Sequence, residues 1–176
     1  MNFNKEIYIE SKLISAISST FVIAEAGVNH GGNMFFAKKL IDLAVEAKAD
    51  AVKFQTFKAE HLILSDIQKA PYQKNTTDAR ESQFDMLKKL EVTREQNLEL
   101  KRYCIDKGII FLTTPFDEES LEELDELDLP AYKVASTDAT NLPFLKKIAK
   151  KGKPIFLSTG MSYLSEVRLA LETIYE

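Results

Sequence analysis

The chain has 176 residues, enough for one domain with a real hydrophobic core, and its 45% hydrophobic and 28% charged content is that of a globular protein. A net charge of −4 without a basic face argues against a nucleic-acid partner, and no apolar run approaches the roughly 20 residues that span a bilayer. The amino terminus has no signal-peptide pattern, and the single cysteine, Cys104, lies in a helical pattern with no histidine near it in sequence. Cys104 therefore reads as core rather than nucleophile, and the expected setting is reducing and cytoplasmic.

Residues 1–20 read as an amino-terminal extension or small hairpin, with Ile7–Ile9 and residues 13–14 as its apolar pieces. The first strand of the main fold is 21–26 (FVIAEA), which carries Glu25 inside an apolar run and leads into a turn-rich loop from Gly27 to Asn33. Ala37, Leu40, Ile41, Ala44 and Val45 follow helical spacing and predict a helix from about Met34. The second strand, Ala51–Thr56 (AVKFQT), puts Lys53 and Gln55 on one face because strand side chains alternate. Residues 57–80 form a long connection of the kind that is often functional.

Helix signals resume at 82–90, and a further helix starts at Thr93, where Gln96 stands at capping-box spacing. That helix stops at Gly108, a residue suited to the left-handed C′ position. A third strand, 109–113, runs into Thr114, Pro115, Phe116 and Asp117, and Asp117 is placed to cap a helix over 118–127. A strand–helix–strand unit closes the pattern: an apolar run at 132–135, an amphipathic helix with a solvated lysine face at 146–151, and a run at Ile155–Leu157 that ends in Ser158, Thr159 and Gly160. Its two strands are expected to be parallel neighbours. A last helix runs over 162–175.

Strict alternation of apolar strands and helices means a parallel sheet covered by helices. An open doubly wound sheet and a (β/α)8 TIM barrel both satisfy it. No Gly-x-Gly-x-x-Gly follows any strand, and all five strands end in polar residues, as they do where every strand feeds one site. The reading is therefore α/β, an incomplete (β/α)8 TIM barrel with about its first five βα units in residues 21–176. A full barrel takes about 250 residues.

Lys53 and Lys133 each interrupt an apolar strand. A buried ammonium is costly unless paired, so such residues face a cleft or an anion, the plainer alternative being a lysine that snorkels to solvent. Glu25 follows the same logic with opposite sign and can be the counter-ion of either. Thr114, Ser136 and Ser158 are hydroxyl residues at strand ends, ordinary turn chemistry singly. With the two lysines they make a rim suited to phosphate and carboxylate. Parity puts Lys133 and Ser136 on opposite faces unless Ser136 lies past the strand end. The histidines, His30 and His61, fit no metal motif, and His30 in its Gly-rich loop reads first as a loop-fixing group, with a catalytic role as the alternative.

IAEAGVNHGG (23–32), VKFQTF (52–57), TPFD (114–117), YKVASTDATNLP (132–143) and PIFLSTGM (154–161) together resemble the sialic acid synthase family, which includes synthases of legionaminic and pseudaminic acid. The resemblance implies a barrel followed by a small antifreeze-like domain, in a protein about twice this length. It implies condensation of phosphoenolpyruvate with an N-acyl hexosamine such as N-acetylmannosamine, with release of phosphate, in carbohydrate biosynthesis. It also implies a manganese or magnesium ion whose ligands lie outside this chain, and a homodimer.

On the matched motifs, Lys53, Thr114, Lys133, Ser136 and Ser158 would hold phosphoenolpyruvate. Gln55, Asn75, Phe116 and Asp138 would face the sugar. Glu25 would serve with Lys53 and Lys133 in catalysis. Two departures stand out: Asp138 where many members have glutamate, and Lys48 where the family usually has glycine. The alternatives are another phosphoenolpyruvate–aldose condensing barrel, or a non-catalytic remnant that binds an anion or a partner.

Overall fold

The computed structural model describes residues 1–65 and 81–176. Strands β1 (Ile7–Ile9) and β2 (Lys12–Ile14) form an antiparallel hairpin that turns at Glu10. Then follow β3 (Ile23–Gly27), α1 (Met34–Glu46), β4 (Ala51–Thr56), α2 (Ala59–Leu62), α3 (Gln83–Lys88), α4 (Arg94–Lys107) and β5 (Ile110–Pro115). After these come α5 (Glu118–Glu123), β6 (Tyr132–Val134), α6 (Leu142–Ala149), β7 (Ile155–Leu157) and α7 (Leu164–Tyr175). Strands β3, β4 and β5 pair in parallel with β4 central, and β6 pairs in parallel with β7. β6 lies beside β5 without sharing a ladder with it. Among the described residues no helix is long and apolar enough to cross a membrane.

Local chemistry sets the helix ends. Asn33 Oδ1 accepts from the Phe35 amide at 2.8 Å to start α1. Thr93 and Gln96 close the capping box of α4, which ends at Gly108 with φ +70°. Lys48, just after α1, has φ +58°, a conformation that costs a side-chain-bearing residue about 1 kcal/mol relative to glycine. The helix expected over 118–127 divides: α5 stops at Glu123 and the chain tightens into a 3-10 turn, Leu124–Leu127. The tighter turn eclipses residues three apart, so Leu124 and Leu127 both reach the core.

Alternation splits the strand side chains between two apolar layers. Val52, Phe54, Phe111, Tyr132 and Val134 point outward against the helices, meeting Ile41, Leu100, Leu121 and Leu145. Ala51, Ile110, Leu112 and Ala131 point the other way, into the barrel lumen, where Ile9 of the hairpin packs on them with Ile7, Ile14, Phe21, Ile23 and Phe156 around it. The hairpin is thus a plug for the amino-terminal end of the barrel, and Ile9 is fully buried there. Polar side chains of the same lumen-facing rows lie beyond this plug, toward the carboxyl ends of the strands.

Candidate functional site

Register brings the charges together. Glu25 of β3 stands opposite Lys53 of β4, and Gln55 stands opposite Thr114 of β5. Lys53 Nζ lies 2.8 Å from Glu25 Oε1 and donates to Thr114 Oγ1 at 3.2 Å. The lysine side chain is only 5% exposed and the glutamate 58%, so the pair is buried on the cationic side and open on the anionic side. On the second sheet, Lys133 Nζ donates to Ser158 Oγ at 2.6 Å and to the Val134 carbonyl at 2.9 Å. The Ser158 amide donates to the same carbonyl at 3.1 Å, extending the β6–β7 pairing by one residue and fixing the serine.

An ammonium has three donors, and each lysine has two of its acceptors here, which leaves each with one for a ligand in the lumen. Burial and the charge of Lys53 push the Lys133 pKa below its ordinary value, and Glu25 offsets this in part. The two lysines therefore belong to one electrostatic site. Ser136 does lie past the end of β6, in the 3-10 turn Ser136–Asp138, and so escapes strand parity. It packs against Gly160, where an added Cβ would come within 3.4 Å of Ser136 Oγ.

Of the residues expected at the sugar, Gln55 is lumen-facing at the end of β4, and its amide lies near Glu25 across the bare Cα of Gly27. Gly27 has φ +52° and follows a β-bulge, and a Cβ there would sit 3.0 Å from Glu25 Oε1. Sequence reasoning read Gly27 only as a turn residue. Phe116 continues the lumen-facing row of β5 and packs edge-on against Phe57 at 6.3 Å. Asp138 is buried in the turn after β6, where desolvation raises its pKa. Asn75 lies outside the described residues.

The histidines separate. His30 is buried on the helix side of the sheet against Phe54, and its Nδ1 accepts from the Gly32 amide at 3.0 Å, which fixes the loop after β3. Its Nε2 has no hydrogen-bond partner, and burial lowers its pKa. His61, by contrast, reaches the mouth. Its Nδ1 lies 3.3 Å from Asp117 Oδ1, beside a rim pocket of about 360 Å³ that Phe116 and Asn141 also line. No metal motif draws attention to His61 in the sequence, and only the capping position of Asp117 marks this spot. Cys104 is buried in the outer layer, where desolvation pushes its thiol up to about 12, outside any nucleophilic range.

Among the described residues no three His, Cys, Asp or Glu side chains converge as a metal site. His61 and Asp117 are committed to each other, and Asp117 to capping α5. The described residues do not fit the divalent ion that the resemblance implies.

Five βα units with cations and hydroxyls from separate strands meeting at the carboxyl mouth define a (β/α)8-barrel protein whose site suits a small anion. Residues 40–176 match the NeuB family, and the chain belongs to that family. It is 49% identical over 158 residues to the N,N'-diacetyllegionaminic acid synthase of Campylobacter jejuni, covering 90% of this chain and 47% of that protein. It is 35% identical over 154 residues to human N-acetylneuraminate-9-phosphate synthase, covering 88% and 43%. A crystal structure of N-acetylneuraminic acid synthetase from Leptospira borgpetersenii, in complex with citrate, superposes with a TM-score of 0.84 at 32% identity, covering 97% of this chain and 55% of that one. The chain thus spans about half the length of the relatives it matches.

Proposed function

We propose that this chain forms the phosphoenolpyruvate-binding part of a nonulosonic acid synthase that condenses phosphoenolpyruvate with an N-acyl hexosamine and releases phosphate. The convergence of Lys53 and Lys133 on one lumen, each held by a hydroxyl, carries this reading. A phosphate and a carboxylate on a three-carbon skeleton need two cations a short distance apart, with neutral donors between them. Lys53, Lys133, Thr114, Ser136 and Ser158 supply that set.

In the reaction, C3 of phosphoenolpyruvate bonds to the aldehyde carbon of the open-chain sugar as the aldehyde oxygen takes up a proton, water adds at C2 and gives up a proton, and the C2–O bond to phosphate breaks to leave the 2-keto acid and free phosphate. Lys53 and Lys133 hold the anionic groups so that C3 faces the acceptor, a positioning contribution. Glu25, open to the lumen and paired with Lys53, orients that lysine and would take the proton that the added water gives up. Gln55, Phe116 and Asp138 bound the acceptor side, with Asn75 assigned there by motif alone. The remaining catalytic groups, metal ligands included, and any dimer contacts belong to the half of the relatives that this chain does not span.

Titrating phosphoenolpyruvate into the chain, with Lys53→Ala and Lys133→Ala in parallel, tests the anion site. Binding that each substitution weakens roughly tenfold to a hundredfold is expected. Absence of binding, or equal binding by both variants, would discard the site. Incubation with phosphoenolpyruvate, manganese and N-acetylmannosamine is expected to give no nonulosonate from this chain alone, and product formation would show that 176 residues suffice.

A further inference from the structure

Most of the buried polar side chains among the described residues gather around the carboxyl halves of β4 and β5. Burying such groups costs free energy unless they are hydrogen-bonded, so their concentration in one place marks a closely held geometry. On the outer face, Thr56 Oγ1 and Thr113 Oγ1 lie 2.9 Å apart, and Asn97 Nδ2 donates to Thr56 Oγ1 at 3.2 Å. With Thr56 tied outward to β5 and α4, its neighbour Gln55 is held toward the lumen.

The strand ends themselves are joined by Asp117. The last backbone bond of the β4–β5 ladder runs from the Phe116 amide to the Thr56 carbonyl at 3.1 Å. The pattern of a parallel ladder would next carry the Lys58 amide to the Phe116 carbonyl. That amide instead donates to Asp117 Oδ2 at 2.9 Å, so a side chain stands in for backbone where the two chains turn away from the sheet. The same carboxylate accepts from the Ser120 amide and hydroxyl, each at 2.8 Å, and lies 3.3 Å from His61 Nδ1. A carboxylate has about four acceptor sites, and these partners take them. The next amide of the β4 exit, that of Ala59, donates to Glu91 Oε1 at 2.7 Å.

Building on the proposed synthase reading, we infer that Asp117 is a positioning residue for the lysine site: it extends the β4–β5 ladder past its last backbone rung and so keeps Thr114 on Lys53 and Gln55 in the lumen. The plainer role is that of N-cap to α5 alone. A cap needs one acceptor, which serine supplies as well as aspartate does. The bridge needs a second oxygen aimed at Lys58, which serine lacks.

Asp117→Ser therefore separates the two roles, since α5 stays capped while the Lys58 amide loses its acceptor. Hydrogen exchange of the Lys58 and Phe116 amides is expected to quicken at least about tenfold in this variant. Binding of phosphoenolpyruvate is expected to weaken about threefold to tenfold, the loss of a supporting contact and not of a ligand contact. Ser120→Ala removes a donor from the same carboxylate but leaves the bridge. It is expected to keep the phosphoenolpyruvate affinity of the unaltered chain and its slow exchange at Lys58. Should Asp117→Ser not fold, Asp117→Asn takes its place with the same expectations, because one amide oxygen can serve the Ser120 amide or the Lys58 amide but not both. Unchanged exchange at Lys58 and Phe116 in a folded Asp117 variant overturns the bridge. Quickened exchange with unchanged affinity overturns the positioning role, as does an equal loss of affinity in Ser120→Ala. Failure of the unaltered chain to bind phosphoenolpyruvate would instead count against the synthase reading, and the exchange rates would still decide the bridge.

Discussion

Lys133 carries a charge that its surroundings disfavour, since burial and the Lys53 ammonium lower its pKa and Glu25 compensates only in part. Between that lowered value and the ordinary 10.5, the unfolded chain binds more protons than the folded one, so this residue's contribution to stability rises with pH across the window. Its capacity to hold an anion falls over the same window. A bound phosphate or carboxylate restores the ammonium, so binding at alkaline pH is expected to take up a proton. Calorimetry in two buffers of different ionisation enthalpy measures this, and Lys133→Met is expected to abolish the uptake; unchanged uptake would place the proton elsewhere. Lys48 makes a simpler case. Its left-handed backbone predicts that Lys48→Gly stabilises the fold by about 1 kcal/mol, read from urea unfolding. Lys53 and Lys133 were legible in the sequence because a charge inside an apolar strand has few places to go. Glu25 was readable as the counter-ion of one of them, but not of which one, because that depends on the register of β3 against β4, which alternation alone does not fix.

The hairpin is the element whose role changed most between sequence and structure. Its apolar pieces were readable as strands, yet periodicity carries no information about which surface a short strand covers. Packed on Ala51, Ile110 and Ala131, Ile9 closes the base of the lumen. Ile9→Ala is therefore expected to destabilise the chain by about 2–5 kcal/mol in chemical denaturation, as for a large core residue, while a surface hairpin would lose far less. The βα alternation, the capping box of α4 and the left-handed Gly108 all follow from local residue chemistry. The 3-10 tightening at Leu124–Leu127 does not, because it answers to the core that both leucines must reach. His30 and His61 show the same limit: each follows a strand by a few residues, but one turns to the helix layer and the other to the mouth.

At the scale of the whole molecule, the two sheets meet at β5 and β6 without a common ladder, and β4 alone is paired along its length on both sides within the larger sheet. Hydrogen exchange is expected to be slowest for β4 amides and faster by orders of magnitude at β7, which is paired along one edge among the described residues. Uniform exchange across β4 and β7 would mean that the sheets open as one unit. The plug adds an asymmetry in time. Ile9 finds its full set of neighbours only when residues out to Ala131 are available, so the hairpin is sheltered late although it precedes them in the chain. Until then its isoleucines stay wet, and completing the base requires closing a loop of about 120 residues, the slow kind of contact in folding.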